Sequence, residues 1–212
     1  MKGESIGILG GTFDPVHNGH LRFALEIRDA LSLSSVRLIP LGRPPHRMPP
    51  LASDRIRLRM LAAAVRDEPR LMVDDQELRR NGFSYTVDTL DALRQRFPEC
   101  ALCLIMGADA FCQLNTWDRW RKILAFAHII VAQRPGAPLP RKGEVAHLLD
   151  DWQTHDLARI REESAGRIFV HPVPQLDISA TRIRALVARG ASIRYLVPDA
   201  VLEIMTHEQL YV

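Results

Sequence analysis

Short apolar runs alternate along the chain with longer stretches whose apolar positions recur every three or four residues, the pattern of parallel strands joined by crossover helices. Ser5–Leu9, Val36–Leu41, Leu71–Asp74, Ala101–Met106, His128–Ala132 and Arg167–Val170 have strand length, and Ala101–Met106 is the most apolar of them. Helical spacing follows the first run at Leu21, Ala24, Leu25, Ile27, Arg28 and Leu31. It recurs over Asp54–Val65, with Leu58, Leu61 and Val65 inward, and over Thr86–Phe97, with Val87, Leu90, Leu93 and Phe97 in one stripe. Glu144–Ser164 reads as helical cover, and after Ser179 the chain is mostly helical to Leu210. Pro44, Pro45, Pro49 and Pro50 leave Gly42–Ser53 as a long loop, since it can be neither helix nor central strand. Pro135–Gly143 reads as a surface loop. The pattern predicts an α/β fold, a Rossmann-like open parallel sheet with helices on both faces and a small helical C-terminal part. No linker, repeat or low-complexity tract divides the chain, so residues 1–212 read as one domain with 179–212 as its helical subregion.

Composition narrows the class of ligand. With 212 residues, 47% hydrophobic and 25% charged, the chain is neither disordered nor fibrous. Lys plus Arg number 28 against 25 acids, and a net charge of +3 is too slight to demand a nucleic acid; a site for small anions fits better. No apolar stretch approaches the roughly 18 residues of a bilayer span, and residues 1–10 carry no signal-peptide core, so a cytoplasmic protein is expected. Cys100, Cys103 and Cys112 lack zinc spacing and read as buried thiols.

The richest segment is Gly10-Gly11-Thr12-Phe13-Asp14-Pro15-Val16-His17-Asn18-Gly19-His20, at the carboxyl end of a strand entering a helix, where open α/β sheets bind ligands. It is no Walker loop, and Gly7, Gly10 and Gly11 do not make G-x-G-x-x-G. What remains is H-x-G-H at a helix start. His17 and His20 share a helical face, and Gly19 between them admits close approach to the backbone. First-turn N–H groups and the positive end of the helix favour a polyphosphate, above all one gaining charge in a transition state. The plainer reading, that the histidines only satisfy backbone groups at the helix start, weighs less for a pair than for one. Zinc is a weaker reading, because no nearby Cys, Asp or Glu supplies a third ligand.

Near the other end, Ile178-Ser179-Ala180-Thr181-Arg182-Ile183-Arg184 opens a helix with Ile183, Leu186 and Val187 toward the core. Ser179 reads equally as an N-cap beside two solvated arginines or, with Thr181 and an arginine fork, as a site for terminal phosphates.

Together these segments resemble the nucleotidyltransferase superfamily with the H-x-G-H signature. Pro44-Pro45-His46-Arg47, Ser84-Tyr85-Thr86, Gly107-Ala108-Asp109, Thr116-Trp117 with Trp120, and Arg134-Pro135-Gly136 narrow the resemblance to the bacterial nicotinate-nucleotide adenylyltransferase family, over about Ile6 to Tyr211. Arg47 stands where many relatives have lysine. The resemblance implies an enzyme of NAD biosynthesis that joins ATP and nicotinate mononucleotide into deamido-NAD and pyrophosphate. It implies that His17, His20 and Arg184 act in catalysis, and that Gly10, Gly11, Thr12, Phe13, Gly19, Gly107, Asp109, Ile178, Ser179 and Thr181 join them in binding ATP. It further implies that His46, Tyr85, Thr86, Val87, Trp117, Asp118 and Arg134 meet the mononucleotide, with Trp117 offering the ring face and backbone N–H groups near 86–87 and 117–118 reading the carboxylate. Arg182 matches no motif position. Mg²⁺ is expected on the ATP phosphates and waters, with no metal site of its own. The expected partners are the two small molecules, without nucleic acid or membrane, in a monomer or small homo-oligomer.

On the residues alone, Asp109 and Thr86 also read as helix caps, His46 and Arg134 as solvated loop residues, and Trp120 as packing. Rival readings are a pantetheine-phosphate adenylyltransferase, a glycerol-phosphate cytidylyltransferase, a nucleotide sensor without turnover, and an NAD-dependent dehydrogenase. The first two usually have shorter chains without the Ser84-Tyr85-Thr86 and Trp117 segments. The last fails on its glycine spacing.

Overall fold

The strands β1 (Ser5–Gly11), β2 (Ser35–Pro40), β3 (Leu71–Val73), β4 (Ala101–Gly107), β5 (His128–Gln133) and β6 (Ile168–Pro172) correspond to the six runs read from the sequence. In the computed structural model, which describes residues 3–45, 48–134, 136–174 and 176–212, they form one sheet in the order β3-β2-β1-β4-β5-β6. All five neighbouring pairs are parallel. The order reverses direction between β1 and β4, so these two strands flank the crevice where doubly wound sheets take their ligands.

Strand residues alternate between two apolar layers, which is why the central strands read as continuous apolar runs. Leu9, Val36, Leu38, Cys103, Ile105, Ile130 and Phe169 face one cluster, and Ile6, Ile8, Ile39, Leu102, Leu104, Met106, Ile129 and Val131 face the other. The first layer is covered by α1 (Asn18–Leu31), α2 (Asp54–Val65), and later by α8 (Leu157–Glu162), α9 (Ala180–Val187) and α10 (Asp199–His207). The second is covered by α4 (Thr86–Arg96), which follows the short α3 (Gln76–Arg79), and by α5 (Ala108–Cys112), α6 (Ile123–Phe126) and α7 (Glu144–Trp152). Two 3-10 turns, Leu114–Thr116 and Trp120–Lys122, lie between α5 and α6.

Several expectations change in detail. Gly10 and Gly11 end β1 rather than forming a turn after it. The Glu144–Ser164 stretch is two helices, α7 and α8, and the C-terminal part is α9 and α10 with non-helical backbone between them. On α2 the buried stripe is Arg57, Met60, Leu61 and Val65, while Leu58 is only partly buried. A sequence reading turns an arginine outward because charged side chains are seldom buried without partners. Cys100 and Cys103 are buried but Cys112 is partly exposed, and enclosure pushes the Cys103 thiol up to about 12. Among the described residues no helix is long and apolar enough to cross a membrane.

Candidate active site

The first wall is built where β1 enters α1. His17 is the N-cap of α1, with extended backbone (φ −145°, ψ 166°). Its Nδ1 accepts the His20 N–H at 3.3 Å, and His20 Nδ1 accepts the His17 N–H at 3.3 Å. This is a capping box in which two imidazoles replace the usual hydroxyl and carboxylate. The two readings of the pair therefore merge. Each ring satisfies a backbone donor through Nδ1, and for that reason each carries its proton on Nε2 and keeps that edge for the cavity both residues line. The rings stack with centroids 3.6 Å apart, and Phe13 meets His20 edge-on at 5.0 Å. Burial lowers the His17 pKa to about 4; burial, and secondarily the nearby His17, lowers that of His20 to about 3. Both are neutral Nε2–H donors near pH 7.

The packing is tight at two glycines. A Cβ on Gly19 would sit 3.0 Å from His17 Nδ1, and one on Gly11 would sit 3.0 Å from the ring of Phe13. Phe13 itself has left-handed backbone (φ 49°), which turns its ring under Gly11.

The opposite wall is the start of α9. Ser179 is its N-cap, the Oγ accepting the Arg182 N–H at 3.3 Å, so the capping role holds whether or not a phosphate binds there. Arg184 lies one turn in. Its Nη1 donates to the Asp14 carbonyl at 2.6 Å and its Nη2 to Thr181 Oγ1 at 3.4 Å. The first bond spans 170 positions and locks the two motif segments together. Arg182 is exposed and does not line the cavity.

The cavity between these walls has a volume of about 720 Å³, within the usual range for small-molecule sites. Thr12, Phe13, His17, Gly19, His20, Gly107, Arg134, Ile178, Ser179, Thr181 and Arg184 line it, all of them named from sequence. Gly107 ends β4 and Thr12 follows β1, so the cavity sits at the reversal of strand order. Gly10, Gly11 and Asp109 lie outside the lining; Asp109 instead pairs with Arg134 at 3.1 Å. Asp109 caps nothing, since Gly107 occupies the N-cap of α5. His46 lies outside the described residues.

Three contributors escaped the sequence reading. Met48, Pro49, Pro50 and Leu51 form part of the lining. Asp14, 3% exposed, accepts Leu51 N–H at 2.7 Å on Oδ2 and Ala52 N–H at 3.1 Å on Oδ1, holding that proline-rich loop against the site. Arg57, fully buried, donates to the carbonyls of Thr12 and Leu41, each at 2.7 Å, and to Asp54 Oδ1 at 2.6 Å. A helix-period count had no signal for Arg57 beyond its place one residue from the apolar stripe.

Of the residues named for the mononucleotide, Arg134 lines this cavity, whereas Tyr85, Thr86, Val87, Trp117 and Asp118 lie outside its lining. Tyr85, not Thr86, is the N-cap of α4, so Thr86 and Val87 are its first two helical residues, whose N–H groups have no intrahelical acceptor. Val87 is buried, and only its backbone can serve a ligand. Trp117 is partly buried, but its N–H is taken by the Leu114 carbonyl at 3.0 Å, which removes it as a carboxylate donor. Arg119, which no motif pointed to, joins the group: it pairs with Asp88 at 2.8 Å and Asp118 at 2.5 Å, with its guanidinium 5.9 Å from the Tyr85 ring. Trp120 is buried in the core, as its spacing predicted.

The lining suits a polyanion rather than a bare cation. It holds two guanidiniums, two neutral imidazole donors and one carboxylate, Asp14, whose oxygens already accept three donors. Among the described residues no group of three His, Cys, Asp or Glu is arranged to hold a metal. With the Asp14 carboxylate already engaged, the lining offers a bare divalent cation no free carboxylate.

The cytidylyltransferase-like family model matches residues 8–186. A relative named "Probable nicotinate-nucleotide adenylyltransferase" from Aeromonas hydrophila is 46% identical over 100% of this chain and 99% of its own length. Another of the same name from Methylococcus capsulatus is 45% identical over 97% and 99%. Among solved structures, the Plasmodium falciparum nicotinic acid mononucleotide adenylyltransferase complexed with NaAD has the same fold, with a TM-score of 0.75, 15% identity and coverage of 98% of this chain and 97% of that one. The chain belongs to the cytidylyltransferase-like family, among its nicotinate-nucleotide adenylyltransferases.

Proposed function

We propose that the cavity transfers the adenylyl group of ATP to nicotinate mononucleotide, with the α9 wall and the H-x-G-H wall gripping one triphosphate from opposite sides. The observation that carries this reading is the Arg184–Asp14 hydrogen bond, which ties the α9 arginine to the H-x-G-H segment at the cavity that His17, His20 and Arg184 all line. An oxygen of the mononucleotide's 5′-phosphate attacks the α-phosphorus, forming the new P–O bond. The bond from the α-phosphorus to its β-bridging oxygen breaks, and its electron pair leaves with pyrophosphate. The attacking phosphate is already ionised near neutral pH, so the side chains align and neutralise rather than remove a proton.

In this reading, His17 and His20 donate to phosphate oxygens that gain charge, Thr12 and the first turns of α1 and α9 add N–H and hydroxyl donors, and Arg184 meets the departing pyrophosphate. Mg²⁺ bound to the phosphates would neutralise further charge. The exposed Arg134–Asp109 pair offers a phosphate contact and a sugar-hydroxyl acceptor. The Thr86 and Val87 N–H groups, at the positive end of an 11-residue helix, read the pyridine carboxylate, and Trp117 gives the ring a flat partner. A carboxamide there would set donor against donor, so the acid is strongly preferred. The whole chain acts as one domain, in the cytoplasm, as a monomer or small homo-oligomer.

The test is to mix the protein with ATP, Mg²⁺ and either pyridine mononucleotide and follow pyrophosphate and dinucleotide. The expected result is deamido-NAD formation with at least about a hundredfold preference for the acid. Equal turnover of nicotinamide mononucleotide would overturn the carboxylate assignment. ATP binding without pyrophosphate release would leave a sensor instead of an enzyme.

A further inference from the structure

Tyr211 stands next to the end of the chain and does not line the cavity, yet its hydroxyl donates to Asp14 Oδ1 at 2.5 Å. The same carboxylate holds the Leu51 and Ala52 N–H groups, and the carbonyl of the same residue holds Arg184. Leu51 is 73% exposed and packs little, while Ala52, 4% exposed, anchors the end of the loop in the core; the two N–H bonds to Asp14 are the loop's second hold against the cavity. Asp14 is buried, so a donor removed from it is not simply replaced by bulk water.

The backbone around Tyr211 agrees with a tether. Gln209 (φ 50°) and Tyr211 (φ 64°) both adopt left-handed backbone, which non-glycine residues rarely take without something to hold them. The segment is held from three directions: Glu208 accepts Arg59 Nη1 at 2.6 Å, the Leu210 N–H bonds the Met205 carbonyl at 3.0 Å, and the phenol reaches Asp14. Burial, together with the Asp14 carboxylate, raises the Tyr211 pKa, so the hydroxyl keeps its proton and remains the donor.

We propose that Tyr211 is a positioning residue for the triphosphate site, acting through Asp14 to fix both the 48–52 loop and the Arg184 guanidinium. The proposal rests on the adenylyl-transfer reading for the identity of the ligand, but the tether can be tested without turnover.

The experiment compares Tyr211→Phe with Met205→Ala by hydrogen exchange and by titration with a non-hydrolysable ATP analogue. Met205 is buried in α10 and makes no bond to Asp14, so its truncation weakens core packing at the C-terminal helix without removing a donor from Asp14. In Tyr211→Phe the Leu51 and Ala52 amides should exchange roughly five- to tenfold faster and the analogue should bind weaker by a similar factor, the worth of about one hydrogen bond. Nicotinate mononucleotide affinity should not change. Met205→Ala should lower the melting temperature at least as much while leaving both readouts as in the unmodified protein.

Unchanged exchange at Leu51 and Ala52 in Tyr211→Phe, or equal effects of the two variants, overturns the tether. If Tyr211→Phe does not fold, the unmodified protein decides. Coupling is reciprocal, so saturation with the analogue should slow exchange in the 208–212 peptide, and no slowing overturns the proposal. Failure of the unmodified protein to bind the analogue would instead overturn the adenylyl-transfer reading, while the Leu51 and Ala52 rates still judge the tether.

Discussion

His17 does two jobs through two different nitrogens, and two substitutions should separate them. Nδ1 caps α1 by accepting the His20 N–H, and in the proposed function Nε2–H is the donor to the phosphates. The side-chain oxygen of asparagine reaches about where Nδ1 lies, and asparagine is among the best N-caps, but it has nothing at the Nε2 position. His17→Asn should therefore keep the cap and lose the donor, whereas His17→Ala loses both. Losing one preorganised donor to a charge-gaining oxygen lowers turnover by about 100- to 1,000-fold, or about 2.7–4 kcal/mol. Both variants should fall to that range. Both also lose the ring stacked on His20, so their difference in stability isolates the cap, worth about 1 kcal/mol. For a chain of this size that is about 2–4 °C in melting temperature, with Asn the more stable. The assay is initial-rate pyrophosphate release at saturating substrates, with thermal unfolding of the ligand-free proteins. An Asn variant with wild-type turnover would refute the Nε2 assignment, and Asn and Ala variants of equal stability would refute the cap.

The same histidine makes stability depend on pH. The folded site keeps His17 neutral down to about 4, but the unfolded chain protonates it near 6.5, so the unfolded state binds more protons as pH falls between these values and the fold weakens. At pH 4.5 this amounts to about 2.5 kcal/mol relative to pH 7, read as the difference between wild type and His17→Asn in urea unfolding; parallel curves for the two proteins would contradict it. Gly19→Ala places a Cβ 3.0 Å from His17 Nδ1, and the displaced ring should lower kcat by roughly tenfold with the KM for the mononucleotide unchanged. A kcat equal to wild type would mean that the ring has room to yield. Arg57→Met strands the Thr12 and Leu41 carbonyls without their donor, and should destabilise the protein by about 2–5 kcal/mol in chemical unfolding. A loss below 1 kcal/mol would show that water reaches these carbonyls.

What could be read from the sequence follows from how local each determinant is. The strands were legible because each central strand is buried on both faces, so its run of apolar residues owes nothing to distant partners. The H-x-G-H and Ser179–Arg184 segments were legible because helix-start chemistry is local as well. Arg57 was not: its partners are two backbone carbonyls from other segments, and a carbonyl leaves no trace in a sequence. Asp14 was visible only as a letter within a motif, since its partners at 51, 52, 184 and 211 are brought to it by the fold. The Trp117 N–H was assigned to a ligand because nothing in the sequence reveals that the turn of Leu114–Thr116 uses it.

The two walls lie at opposite ends of the sequence, and this has an energetic consequence. The α1 wall follows directly from β1, a central strand of the sheet. The α9 wall is a helix of eight residues, too short to persist by itself in water, and it exists only when Ile183 is buried in the core shared with Val197 and Val201. Arg184 reaches Asp14 only in that docked state. A triphosphate that touches both walls therefore binds the docked form and not a frayed one, and at a hundred times its dissociation constant it would favour docking by about 2.7 kcal/mol. On the proposed reaction, pyrophosphate would still span the two walls, but the adenylyl part of the substrate would no longer belong to it. In that reading the grip that aligns the α-phosphorus would weaken as soon as the bond to the β-phosphate is broken, and the same geometry that favours attack would also favour departure.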